Sequence, residues 1–211
     1  MVGAPLRIGP VVLVVGLGNP GRKYEQNRHN VGFMAVTRLA QLHGLADFKE
    51  KYRGDWTKGD LAIDSVRYPV AVLKPATFMN LSGESVQPAA AFLKVDPAAI
   101  VVVHDELDLA WQDIRLKVGG GHAGHNGLRS ILGHLGTADF VRVRIGIGRP
   151  PANFRGDIAS YVLENFNAIE QTELGDVLGR ACTAIEKVVA KGVAAAMNDV
   201  NVKMGGSGKK K

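Results

Sequence analysis

Val11-Val12-Leu13-Val14-Val15-Gly16-Leu17-Gly18-Asn19-Pro20-Gly21 is the stretch that decides the class of fold. From Val11 to Val15 no polar residue interrupts the apolar run, and four of the five residues are β-branched. A half-exposed strand would alternate, so this spelling predicts a strand buried on both faces of a mostly parallel sheet, ending in glycine. Val70 to Leu73 and Ile100 to Val103 repeat the pattern. Between these strands lie helical stretches, Val31 to Leu42 with Asn30 as N-cap and Glu84 to Lys94 stopped by Asp96 and Pro97. Strands alternating with helices argue an α/β layered fold.

Further along, Val141 to Gly148 reads VRVRIGIG. The period of two puts Val141, Val143, Ile145 and Ile147 on one face, expected to be core, and Arg142, Arg144, Gly146 and Gly148 on the other, expected to be open and basic. A long helix from about Ile169 to Val193 is expected to close the domain, and the Pro-interrupted loop Arg149 to Gly156 (RPPANFRG) to act as a lid. The expected organisation is an N-terminal extension (1–10), one domain (11–203) and a flexible basic tail (204–211).

At 211 residues and 46% hydrophobic, the chain can bury one substantial core, and its 26 glycines gather at a few turns with no fixed period, which disfavours solenoid and low-complexity readings. Cys182 is the only cysteine, so an internal disulfide and a thiolate metal site are both excluded. No segment approaches the roughly 20 continuous apolar residues of a membrane span, and the expected setting is soluble and cytoplasmic. The formal charge of +6 falls to +3 when Lys209, Lys210 and Lys211 are set aside, so a polyanionic partner must be argued from position and not from the total.

Gly16 to Gly21 fits G-x-G-x-x-G after a strand, which raises a dinucleotide-binding oxidoreductase as a hypothesis. Pro20 and the polar run GRKYEQNRHN delay the helix, so its N-terminus is not set against a pyrophosphate, and no second strand ends in a suitably spaced acid. Polar clusters instead punctuate the strand ends: Asn19, then Arg28-His29-Asn30, Phe78-Met79-Asn80 and His104-Asp105-Glu106. Loops at the carboxyl ends of strands converge, so these clusters can form one site with an imidazole, a carboxylate and several amides. There is no G-x-S-x-G and no exposed-looking thiol, so direct attack by water is the hydrolytic chemistry such a set allows: a His oriented by an Asp deprotonates water, and amides hold the carbonyl. His122 and His125, with His104 and Asp105, lack the fixed presentation of a helical H-x-x-x-H, and no metal is expected. Gly119 to Gly121 and Gly124 suit a loop running into a helix near Asn126, while Lys117 and Arg144 offer cations for phosphate.

In order along the chain, GLGNPGRKYEQNRHNVGF, KPATFMNLSGESV, HDELDL, GGGHAGHNGLRSI and RVRIGIGRP resemble the motif set of bacterial-type peptidyl-tRNA hydrolases, from about Val11 to Phe166. The resemblance implies a single-domain three-layer sandwich with a mixed, largely parallel sheet flanked by helices. It also implies a monomer without cofactor or metal that acts on peptidyl-tRNA. By residue, it implies His29 as catalytic base, Asp105 as the carboxylate orienting it, and Asn19 as the residue recognising the peptide end. Tyr24, Phe78, Met79, Asn80 and Asn126 would line the substrate channel, with Lys117 and Arg144 clamping a tRNA phosphate. A non-catalytic, splicing-factor-like RNA-binding relative is the alternative; His29, Asp105 and Asn19 together favour catalysis.

Overall fold

Strand β1 (Val12–Gly16) lies at the centre of the sheet, and in the computed structural model it pairs in parallel with β4 (Val66–Pro75) on one side and β5 (Ile100–Glu106) on the other. The structure describes residues 11–202, so the expected extension and tail lie outside the described residues. All five residues of β1 and all seven of β5 are buried, which is why their spelling is apolar without alternation. β7 (Val141–Gly146) continues the parallel series beside β5. The margins are antiparallel: β3 (Gly54–Ile63) against β4, β2 (Lys49–Lys51) outside it, and β6 (Ile114–Val118) against β7. The result is a seven-stranded mixed sheet in the order β2-β3-β4-β1-β5-β7-β6.

Helices cover both faces. α1 (Val31–Leu42), α5 (Ala168–Lys191) and α6 (Val193–Val200) bury one face around Val14, Val36, Val103, Val143 and Ile185. α2 (Gly83–Leu93) and α3 (Asn126–Leu135) bury the other around Leu13, Val15, Val102, Ile131 and Phe140. The three-layer α/β sandwich is therefore present. Within it, Gly32 lets α1 touch the sheet directly, because a Cβ there would stand 2.3 Å from the Val103 carbonyl oxygen. That contact presses the segment before α1 onto the end of β5.

Four local expectations change. Asn30 stands before α1 but does not cap it: its Oδ1 accepts from the Asn19 N–H and its Nδ2 donates to the Asn19 carbonyl, both at 2.9 Å. α2 ends at Leu93 through Lys94 in the left-handed region (φ 52), while the Asp96 side chain caps the separate turn Pro97–Ala99. The long C-terminal helix begins with an Asn167–Glu170 capping box and breaks at Gly192 (φ 79), so α5 and α6 are two helices. The second face of β7 is not open. β6 flanks the strand, and Arg142, 2% exposed, donates to the Gly120 and Gly121 carbonyls at 2.7 Å each, lying over the Phe140 ring. Residues after β7 run irregularly to a short helix, α4 (Ile158–Val162), which Asp157 and Ser160 close with a capping box.

Candidate active site

At the carboxyl ends of β1 and β5 the chain leaves two strands in adjacent loops, the position where an α/β sheet forms a crevice. β1 runs into Leu17-Gly18-Asn19; β5 ends in His104-Asp105-Glu106. The 3-10 turn Arg28–Asn30 brings His29 over the end of β5, and the turn Met79–Leu81 brings Asn80 before α2. Asn19, His29, Asn80, Asp105 and Glu106 line a cavity of about 740 Å³ together with Asn126 at the start of α3, and Ile158 and Val162 of α4 supply an apolar wall.

Asp105, 3% exposed, receives two imidazoles on one oxygen: His29 Nδ1 at 2.9 Å and His125 Nε2 at 3.0 Å. The partners fix the tautomers. His125 caps α3, its Nδ1 accepting from the Gly127 and Leu128 amides, so its proton sits on Nε2 and is donated to Asp105. His29 donates from Nδ1, which leaves its Nε2 lone pair as the free basic atom. Burial opposes charge on His29, but the Asp105 carboxylate overrides it and raises the His29 pKa above the usual 6.5. Burial likewise opposes ionisation of Asp105, and the two histidines hold it well below the usual carboxylate range. His104 is different: fully buried, with Nδ1 on the Asp105 carbonyl, it is pushed down to about 3 by desolvation and stays neutral.

The Asn19 Oδ1 accepts from the Met79 N–H at 2.8 Å, so the group Asn19 turns to the cavity is its amide NH2, a donor. Behind the turn that carries His29, buried Arg28 pairs with Glu170 at 2.7 Å under the Tyr161 ring, and its amide donates to the Glu164 carbonyl. The turn bearing His29 is thus tied to the α4–α5 junction.

Of the residues singled out in the sequence, Asn19, His29, Phe78, Met79, Asn80, Asp105 and Asn126 all line this cavity. Tyr24 does not; it is half-buried beneath the Lys23 ammonium. Arg144 and Lys117 also lie off the cavity, on one face of β7 and β6, where Arg144 donates to Glu106 at 2.9 Å and Lys117 is exposed. Glu106 in turn lines the cavity. His125 was weighed only as a metal ligand, and its place at the N-cap of a helix was the missed signal. His29, Asp105 and His125 do bring three ligand atoms within 4.8 Å. With Nδ1 of His125 committed to the helix and Nε2 protonated toward Asp105, the trio is a hydrogen-bonded relay more than a cation site. The dinucleotide reading has no place either: the turns of residues 22–30 intervene between β1 and α1, and the Phe33 amide at the start of α1 is occupied by the Leu17 carbonyl.

The profile of the family described as peptidyl-tRNA hydrolase matches residues 13–209. A peptidyl-tRNA hydrolase of Sorangium cellulosum is 53% identical over 193 residues, covering 92% of this chain and 85% of that one. Another, from Mycolicibacterium vanbaalenii, is 51% identical over 192 residues, covering 90% and 96%. The crystal structure of peptidyl-tRNA hydrolase from Acinetobacter baumannii superposes with a TM-score of 0.82 at 40% identity, covering 92% of this chain and 96% of that one.

Proposed function

This chain belongs to the peptidyl-tRNA hydrolase family and hydrolyses the ester joining peptide to tRNA, and on that premise we propose that His29 is the general base. The observation that carries the proposal is the buried 2.9 Å contact between His29 Nδ1 and Asp105, which leaves Nε2 to face water. Nε2 takes a proton as water oxygen attacks the ester carbon; the amides of Asn80 and Asn126 hold the developing oxyanion. The intermediate collapses with loss of the ribose oxygen, which recovers the proton from His29. Peptide acid and tRNA are the products, and no cofactor enters the balance.

Asn19 is the reader of the peptide end. Its amide NH2 meets the carbonyl oxygen of an N-acyl group, an atom that a free aminoacyl ester lacks, while a cationic amine would face a donor. Lys117 and Arg144 bind tRNA phosphate. The enzyme works as a monomer in the cytoplasm; no helix of the described residues is long and apolar enough to cross a membrane. The non-catalytic RNA-binding alternative finds no support in the relatives or in the site.

Release of N-acetylaminoacyl residues from tRNA tests the assignment. His29→Ala should lower turnover by at least ~10²-fold with tRNA affinity kept. Near-normal turnover would end the general-base role, and activity abolished by a chelator would point to a metal at His29, Asp105 and His125.

A further inference from the structure

Arg28, the residue before His29, is 4% exposed, and no step of the hydrolysis uses it. We propose that Arg28 is a positioning residue for the reaction: its guanidinium ties the turn that carries His29 to the segment that walls the cavity, so that base and wall are set by one group. The proposal rests on the reading of His29 as the base.

The grip on Arg28 comes from several sides. Its amide donates to the Glu164 carbonyl at 3.0 Å, and its Nη2 donates to Glu170 Oε2 at 2.7 Å. That same oxygen accepts from the Asn167 amide at 2.7 Å, so the guanidinium is bonded to the capping box that starts α5. The Tyr161 ring of α4 lies over the guanidinium, 4.5 Å from its central carbon, with the Phe166 ring at 5.8 Å. One residue earlier, Asn27 Nδ2 donates to Asn165 Oδ1 at 2.7 Å. Residues 27 and 28 are thus held along residues 161–170, and Val162 and Leu163 of that stretch line the cavity.

His29 depends on this grip. A 3-10 turn of three residues has poor hydrogen-bond geometry of its own and holds a side chain's direction weakly. On the C-terminal side of the turn, Gly32 seats α1 against the Val103 carbonyl. On its N-terminal side, Asn27 and Arg28 supply the second anchor.

Stability alone explains Arg28 poorly. The desolvation of a buried ion pair largely cancels its attraction, so a well-packed apolar residue would secure α5 as well. What an apolar residue lacks is the planar fork, which fixes direction. Nor is the fork fully used: Nε and Nη1 are buried without a hydrogen-bond partner among the described residues. The exposed Glu164 side chain brings Oε2 to 3.7 Å from Nη1, roughly 1 Å longer than a charge-assisted hydrogen bond. Glu164 directly follows Leu163, so substrate seated against Val162 and Leu163 is felt at Arg28 through Glu164.

Arg28→Lys and Glu164→Gln test the proposal, with release of N-acetylaminoacyl residues from tRNA as the assay and the His29 imidazole titrated by NMR in each variant. Lysine keeps the charge and gives up the fork, so a change at His29 comes from placement and not from lost charge. Asp105, bonded to His29, and His125, its ring 5.0 Å away, are both unaltered. Arg28→Lys should lower kcat about tenfold and bring the His29 titration down toward 6.5, because a displaced ring loses part of the Asp105 contact that raises it. Glu164→Gln should lower kcat about threefold alone and add nothing in the Arg28→Lys background. A lowered Tm with the His29 titration unmoved in Arg28→Lys would overturn the proposal, since Arg28 would then support the fold and no more. Fully additive losses would overturn the route through Glu164. If Arg28→Lys does not fold, a Glu164→Gln enzyme with wild-type kcat and wild-type His29 titration overturns the proposal by itself. Near-normal turnover in His29→Ala would instead remove the base reading, and the NMR titration would still report whether Arg28 places the ring.

Discussion

Asp105 accepts from two imidazoles, and the surroundings decide which of them can act as base. His125 spends Nδ1 on the first amides of α3, so both of its nitrogens are committed; His29 keeps one free. The pH dependence follows with a definite sign. On the proposed mechanism His29 acts as base in its neutral form, and Asp105 favours the protonated imidazole, so the acid limb of kcat/KM should lie above the ordinary histidine value of 6.5. Asp105→Asn removes that stabilisation and should move the limb to lower pH while reducing the plateau less than His29→Ala does. A pH–rate profile of the variant settles it, and a limb that does not move would divorce Asp105 from the titration. For Asn19 the expected outcome is a narrowed preference: Asn19→Ala or Asn19→Asp should bring kcat/KM for N-acetylaminoacyl-tRNA closer to that for the free-amine form, and an unchanged ratio would shift discrimination to Asn80 or Asn126. These residues were legible in the sequence because each sits in a short polar cluster at a strand or helix end. His125 was not legible in its actual role, because that role depends on where α3 starts and on the long-range contact of its N-terminus with β5.

Elements whose sequence carried a strong local period emerged nearly as read. α1 occupies Val31–Leu42 as expected, and β1, β4 and β5 hold their continuous apolar runs in the parallel centre. β2 was missed because Lys49-Glu50-Lys51 is wholly exposed and has no apolar pattern; charge on an edge strand discourages further pairing. The basic face of β7 was misjudged for a related reason: period two says which residues share a face but not what covers it, and a glycine-loop carbonyl pair covers Arg142. α1 also shows how an element is placed by one residue. A methyl group on Gly32 would meet the Val103 oxygen at 2.3 Å and the Leu17 amide nitrogen at 2.5 Å, all backbone atoms that cannot rotate away. Gly32→Ala should therefore cost about 1–3 kcal/mol or more as α1 is forced off the sheet, although alanine is the better helix former by roughly 1 kcal/mol. Thermal and denaturant melts measure it; a variant as stable as wild type would mean that α1 does not rest on β5 this closely. The loss should reach catalysis too, since the same contact seats His29 over Asp105.

For the molecule as a whole, a modest net charge leaves the question of how a tRNA is held, and the answer lies in where cations face. Arg115, Lys117, Arg142 and Arg144 share one face of the β6–β7 pair, but they are not equivalent. Arg142 is spent on the glycine loop, whose carbonyls leave it little to offer a phosphate. Lys117 is exposed, and Arg144 is half-committed to Glu106, which itself lines the candidate active-site cavity. The two proposed clamp residues should consequently fail in different ways when removed. On the proposed clamp, Lys117→Ala withdraws one phosphate contact, so KM should rise with kcat nearly kept, and the salt dependence of binding should flatten by about one counterion. On a minimal substrate lacking the clamped phosphate this effect should vanish. Arg144→Ala removes the proposed contact and also strips Glu106 of its cation, leaving a carboxylate held only by the Asp108 amide at the rim of a site that must accept a polyanion. Its loss should exceed that of Lys117→Ala and should persist in part on the minimal substrate. The double variant Arg144→Ala with Glu106→Gln separates the two contributions, because neutralising Glu106 should restore the part that persists and leave the counterion deficit in place. If both single variants behave alike on both substrates, Arg144 acts as a plain phosphate ligand and its bond to Glu106 has no bearing on the substrate.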